Sequence, residues 1–319
     1  MKKLVSLFVA LLMCAALAAG CASGAASFEQ PIRITGLKGP TGMGMTLLMG
    51  NEFADKYAIT LSSAPDDVTA QLISGETDIA AVPLNLASVL YNKTEGGVVM
   101  LAVNTLGVLY VLENGEEIQS VTDLAGKTLY ATGQGSTPEY MLNYILAQYG
   151  LTDSVTVEYK AEHSELATLM ASGDVTLGML PEPNVTSVLM QNESVRVALD
   201  LNALWEEATG ISAVQGCIVV RSEYLAEHEA EVKAFLEDYQ ASVNYVNEHH
   251  EKAAAMMETY GVVAKAAVGK ASIEKSNIVF ITGSDMREMA EAMLNVLFDA
   301  NAKSVGGALP GDDFYYSGK

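Results

Sequence analysis

Two stretches of this chain, 98 residues apart, constrain its fold more than any other feature. Leu72-Ile73-Ser74-Gly75-Glu76-Thr77-Asp78-Ile79-Ala80-Ala81-Val82-Pro83 lies on Met170-Ala171-Ser172-Gly173-Asp174-Val175-Thr176-Leu177-Gly178-Met179-Leu180-Pro181 without a gap, position 72 matching 170 throughout. Each reads as a helix end, a glycine stop followed by an acid, a buried strand, and a proline at the strand's C-terminal end. A helix–glycine–strand unit used twice predicts two similar α/β lobes in tandem.

The flanking sequence obeys the same grammar of β-rich runs alternating with helical patterns. Ile32 to Thr35 reads as a strand and Gly39-Pro40-Thr41-Gly42-Met43-Gly44 as a loop, with a helix following through about Lys56. Ala58 to Leu61, Asp78 to Val82 and Val98 to Val103 read as strands, Ala64 to Ser74 and Leu84 to Asn92 as helices. The order restarts at Lys127 to Ala131, followed by the loop Thr132-Gly133-Gln134-Gly135-Ser136-Thr137 and a helix from Pro138 to Tyr149. Proline suits a first helical turn, where its missing N–H is not needed. Beyond Gln215 comes one strand, then helical spacing over Tyr224 to Asn247, His249 to Tyr260 and Asp285 to Ala302. This tail holds no third copy and is expected to complete lobe one.

The N-terminus reads as an address. Lys2 and Lys3 precede the apolar run Leu4 to Leu17, which is shorter than the ~20 residues of a spanning helix and has the layout of a secretory signal. It ends in Leu17-Ala18-Ala19-Gly20-Cys21, which resembles the lipobox of bacterial lipoproteins, where cleavage precedes the cysteine and the cysteine is acylated. Residues 1–20 are thus expected to be a lipoprotein signal peptide, Cys21 the lipidation site and 21–30 a tether. Cleavage there takes 20 of the 319 residues and two of the 18 basic side chains, leaving 299 residues and a formal charge of -23. Cys217 alone then remains, so no intramolecular disulfide can form, and its apolar setting reads as core. The excess of 39 acidic over 18 basic residues argues against nucleic-acid binding, which needs basic patches to neutralise phosphate.

In open parallel sheets, ligands collect at the C-terminal ends of strands, where helix N-termini present free N–H groups. Those positions are Thr41, Gly42, Met43 and Gly44; Pro83 and Asn85; Gly135, Ser136 and Thr137; and the Pro181-to-Asn184 turn with Glu182. Gln215, at the start of the tail's strand, joins them as a candidate ligand residue. Glycine and hydroxyl residues at such turns also serve as plain turn formers and helix caps. Lys38 is the only basic residue within these mouth loops. Glu182 suits an amine donor, because an unpaired buried charge is costly, and equally suits the cap of its own helix.

The Gly39-to-Gly44 loop, Asp78-Ile79-Ala80-Ala81-Val82-Pro83-Leu84-Asn85, Asp123-Leu124-Ala125-Gly126-Lys127, the Gly133-to-Pro138 loop and Leu180-Pro181-Glu182-Pro183 together resemble type 2 periplasmic binding proteins. The branch they resemble is the sulfonate, nitrate and thiamine-pyrimidine group of ABC-importer binding lipoproteins. The resemblance implies two Rossmann-like lobes with a ligand cleft between them and the helical tail packing on lobe one. It implies two crossovers, with lobe one as 31–112 plus 211–319 and lobe two as 113–210. It further implies hinge closure on a small solute and docking on a membrane permease driven by an ATPase. An exported monomer, held by lipid at the outer face of the cytoplasmic membrane, is expected. Leu180 stands where that group often has an aromatic, which weakens a sulfonate or nitrate reading.

No chemistry is expected. His163, His228, His249 and His250 are the only histidines, and no His-Glu-x-x-His, paired-cysteine or Gly-x-Ser-x-Gly spacing occurs. The sequence therefore predicts a binding protein with no catalytic residue, metal or cofactor. A receptor subunit of a membrane sensor is the alternative use of the same clamshell. An exported thiamine-pyrimidine-type enzyme ranks last, because the cysteine-rich iron motif of those synthases is missing.

Overall fold

The computed structural model describes residues 28–318. The signal segment, Cys21 and the tether up to residue 27 lie outside the described residues.

Two separate sheets form. The first contains β1 (Ile32–Leu37), β2 (Tyr57–Ser62), β3 (Ile79–Pro83), β4 (Val98–Leu106), β10 (Val214–Arg221) and β11 (Ile278–Ile281), in the order β11-β4-β10-β3-β1-β2. The second contains β5 (Leu109–Asn114), β6 (Thr128–Ala131), β7 (Thr156–Tyr159), β8 (Leu177–Pro181) and β9 (Val195–Asp200), in the order β7-β6-β8-β5-β9. Apart from β11, the sheets match strand for strand. β1 pairs in parallel with β2 and β3, and β6 with β7 and β8. β10 then runs antiparallel to β3 and β4, as β5 does to β8 and β9. In each sheet the central antiparallel strand, β10 or β5, is the first one the chain makes after crossing from the other sheet, and β11 adds a second antiparallel strand at the edge of the first sheet.

The 98-residue repeat is visible at its ends. Helices α2 (Pro65–Ser74) and α5 (His163–Ser172) keep that offset at both termini, as do β3 and β8. Gly75 and Gly173 end the two helices with φ of 76° and 85°, a left-handed conformation that a side chain would strain. Both following strands are buried at all five positions, as expected of strands covered on two faces.

The remaining helices are α1 (Pro40–Met43), α3 (Leu84–Lys93), α4 (Thr137–Gln148), α6 (Asn184–Gln191), α7 (Leu201–Thr209), α8 (Ser222–Glu227), α9 (Glu229–Glu248), α10 (His250–Thr259), α11 (Ala266–Ser272) and α12 (Gly283–Ala300). The tail does pack on the first sheet. Phe235, Tyr239 and Val243 of α9 join Ile32, Ile34 and Ile218 in one core, while Met286, Met293 and Leu294 of α12 pack with Val82 and Val219. The second cluster continues through Leu84 and Val214 to Met141, Leu142 and Trp205, so a continuous apolar seam joins the two sheets.

Three expectations need correction. The crossing into the second sheet falls at Gly107–Val108, not after Leu112, and all of β5 belongs to the second sheet. Val98 to Leu112 is an almost unbroken apolar run, so periodicity alone hides the break. The helix expected up to Lys56 is instead the single turn α1 and two 3₁₀ turns, Thr46–Met49 and Asn51–Phe53, divided by Gly44 and Gly50. The helix expected from Tyr224 is likewise broken, at His228 between α8 and α9.

Candidate functional site

The strand ends predicted to form a mouth meet in two places. At the first, the β3–α3 turn faces the start of α4. Asn85 is fully buried there: its Nδ2 donates to Gly135 O at 3.2 Å and to Ser304 O at 3.1 Å. Its Oδ1 accepts from Thr137 Oγ1 at 3.1 Å. Pro138 stands in the first turn of α4, where its missing N–H leaves no hydrogen bond unmade. Gln215, at the start of β10, extends this contact, with its Nε2 2.8 Å from Met141 Sδ on α4.

At the second place, the loop after β1 approaches the loop after β8. A Cβ on Gly39 would lie 4.0 Å from Pro183 Cδ. Beside this contact lies a cavity of about 560 Å³ that both sheets' elements line. Lys38, Gly39 and Ser63 follow the ends of β1 and β2, Glu258 stands in the last turn of α10, and Val262 and Lys265 come from the α10–α11 connection. The opposite wall is the first turns of α5 and α6, with Glu162, His163, Ser164, Pro183, Asn184 and Ser187.

Of the twelve candidate residues, Asn184 lines this cavity, and Asn85, Gly135, Thr137 and Gln215 make the cross-sheet contacts. Pro83 is buried opposite Gly216 in the β3–β10 ladder. Thr41 is 8% exposed, and its carbonyl accepts from Asn104 Nδ2 at 2.9 Å. Ser136 is used locally, donating to Gly133 O at 2.7 Å to close the turn. Met43 does not fit the expectation: it is fully buried within the first sheet's core beside Tyr239, because the single turn of α1 rotates its side chain inward. Gly42 and Gly44 also face protein rather than the mouth. Gly42 packs on the Leu37 carbonyl, and a Cβ on Gly44 would come within 2.5 Å of Tyr239 Oη.

Glu182 proves to be a cap. Its carboxylate is fully buried and accepts from Thr186 N at 3.0 Å and Thr186 Oγ1 at 2.9 Å, in the first turn of α6. Burial pushes its carboxyl above the usual range, while the Thr186 bonds and the nearby Lys275 pull it back. His163 was not singled out by sequence, yet it lines the cavity with Nδ1 2.6 Å from Thr132 Oγ1. Burial holds its imidazole down to about 4, outweighing the pull of Glu162, so the ring is neutral at pH 7. Lys265 was missed as well, since nothing in a loop between two tail helices marks it as facing the mouth. No cluster of three or more His, Cys, Asp or Glu side chains suited to a metal occurs among the described residues. Cys217 is buried and its thiol is pushed up by burial, so it is core as expected. None of the described helices is long and apolar enough to cross a membrane.

A family model described as NMT1/THI5 like matches residues 57–253. No curated protein sequence matches the chain. Among solved structures, an ABC transporter protein from Parabacteroides distasonis is similar with a TM-score of 0.76 at 24% identity, the match covering 91% of this chain and 99% of that one. The periplasmic aliphatic sulphonate binding protein of Escherichia coli matches with a TM-score of 0.70 at 16% identity, over 89% and 96% of the two chains. The zinc-bound ligand-binding component of an ABC-type import system from Staphylococcus aureus also reaches 0.70 at 16% identity, over 91% and 97%. These likenesses establish the fold.

Proposed function

This chain belongs to the NMT1/THI5-like family, and from that premise we propose that it is the extracytoplasmic solute-binding component of an ABC importer. Its two lobes would be 31–106 with 214–318, and 109–209, joined by the crossings at 107–108 and 210–213. The observation that carries the reading is the cavity at the ends of β1 and β2 and the starts of α5 and α6, walled by both lobes. An apolar cluster running from one sheet to the other and a polar cavity walled by both lobes are what a hinge needs: a packed contact to turn about and a space to close. The solved structures of similar fold named for ABC import and sulphonate binding support the same role.

The partners would be a membrane permease and its ATPase, since the chain carries no Walker-type phosphate loop of its own. A lipid at Cys21 would hold it at the outer face of the cytoplasmic membrane. Binding would be reversible and without chemistry, the buried Cys217 and the cavity's histidine both being held uncharged. The test is a thermal-shift screen of metabolite fractions, followed by recovery of the solute. A solute at a hundredfold excess over its Kd adds about 2.7 kcal/mol to stability by mass action. A melting rise with unaltered solute recovered is expected; turnover of the solute, or no rise with any fraction, overturns the reading.

A further inference from the structure

Charged side chains of both signs, drawn from both lobes, line the cavity. Every ion pair among the described residues joins partners within one lobe. None of them involves the four charged side chains that line the cavity: Lys38, Lys265 and Glu258 on the lobe-one wall and Glu162 on the lobe-two wall. Glu258 is already engaged, accepting from Ala266 N at 3.1 Å at the start of α11. Glu162 accepts only from the Ser164 hydroxyl, at 3.1 Å. The cavity's other titratable group, His163, is uncharged near neutrality.

We propose that this cavity takes a zwitterion, its acid group between Lys38 and Lys265 and its ammonium group against Glu162. The proposal rests on the reading of the cavity as the solute site. An anion alone would satisfy the lobe-one lysines and leave Glu162 to lose water without a partner as the lobes close; a cation alone would strand the lysines. A ligand carrying both signs meets both walls at once, so its binding favours the closed arrangement over the open one. Asn184 and Ser187 remain as neutral hydrogen-bonding groups for the body of the ligand.

The test is calorimetry on the intact mature protein with ω-amino acids of three to six carbons and the common α-amino acids, each beside its deaminated acid and its decarboxylated amine. At least one zwitterion should bind tenfold or more tightly than both of its singly charged analogues. Glu162→Gln and Lys265→Met should each weaken that zwitterion at least tenfold, at unchanged melting temperature of the free protein. A singly charged analogue that binds as tightly overturns the proposal. So does silence of every zwitterion while a metabolite extract still raises the melting point, an outcome that leaves solute binding standing with another ligand class. If the extract is also without effect, the reading of the cavity as a solute site falls with it.

Discussion

Thr137 Oγ1 donates a hydrogen bond to Asn85 Oδ1 across the boundary between the two sheets, at 3.1 Å and with both side chains fully buried. The same Asn85 amide donates to Gly135 O in the second lobe and to Ser304 O in the first. One side chain thereby ties a mouth loop of each lobe to the C-terminal segment. Asn85→Ala strips the Asn85 amide from the buried Ser304 carbonyl, the exposed Gly135 carbonyl and the buried Thr137 hydroxyl. We expect a loss of about 1–3 kcal/mol in denaturant unfolding, together with weaker solute binding. Thr137→Val removes the hydroxyl's two contacts with Asn85, the bond it donates to Oδ1 and the longer one it accepts from Asn85 N at 3.5 Å, and should cost about 1 kcal/mol. The double mutant should be less destabilised than the sum of the two, which a mutant cycle reads directly.

The Gly44–Tyr239 contact makes a second-site prediction. Tyr239 Oη is buried without a hydrogen-bond partner, directly beneath Gly44. Tyr239→Phe removes an unsatisfied hydroxyl and should change stability by less than about 1 kcal/mol. Gly44→Ala drives a methyl against that hydroxyl and should cost about 1–3 kcal/mol through overpacking. In the Tyr239→Phe background the same alanine should cost measurably less. Equal costs in the two backgrounds would place the strain elsewhere.

His163 gives stability a pH dependence whose sign follows from its depressed pKa. The unfolded chain binds a proton near the ordinary imidazole value of 6.5, whereas the folded chain resists it down to about 4. Between those values the unfolded state holds more protons, so stability falls as pH falls through the window, by at most about 3 kcal/mol. Above 6.5 this contribution is flat. Denaturant midpoints from pH 7 to pH 4 should drop more steeply for the wild type than for His163→Gln.

Glu182 acts in the opposite sense. Its folded pKa is raised, so in the window above 4.5 the folded state binds more protons, and stability from this group rises as pH falls through it. Glu182→Gln keeps an oxygen to accept from Thr186 N and removes a buried charge. It should leave stability at pH 7 within about 1 kcal/mol of wild type and leave solute affinity unchanged, as befits a helix cap. A tenfold affinity loss would return Glu182 to the solute.

How far the sequence reached depends on where the chemistry is local. Gly75 and Gly173 could be read as helix stops because only a residue without a Cβ enters the left-handed region at no cost, and the strands after them were placed by composition. The matching strand order of the sheets is a consequence of that repeat, although β5 and β10 share no motif. Gly107 was invisible as a crossing, because apolar residues on both sides satisfy either sheet. That Asn85 and Thr137 stand at loops facing across the two sheets was legible because both are at helix starts after strands. Met43 was misplaced, since its glycine neighbours mark a turn but say nothing about the side on which its side chain falls. Lys265 and His163 reach the cavity only through tertiary packing, which no spacing in the sequence encodes.

Closure of the two lobes on a small solute is tested most directly by the distance between them. Asp66 and Glu165 are exposed in the first turns of the equivalent helices α2 and α5, and Cys217 is buried away from labelling reagents. Spin labels on Asp66→Cys and Glu165→Cys, read by pulsed dipolar spectroscopy, report the opening of the cavity edge. A solute that raises the melting point should shorten and narrow the distance distribution. An unchanged distribution at saturating solute would contradict closure between the lobes.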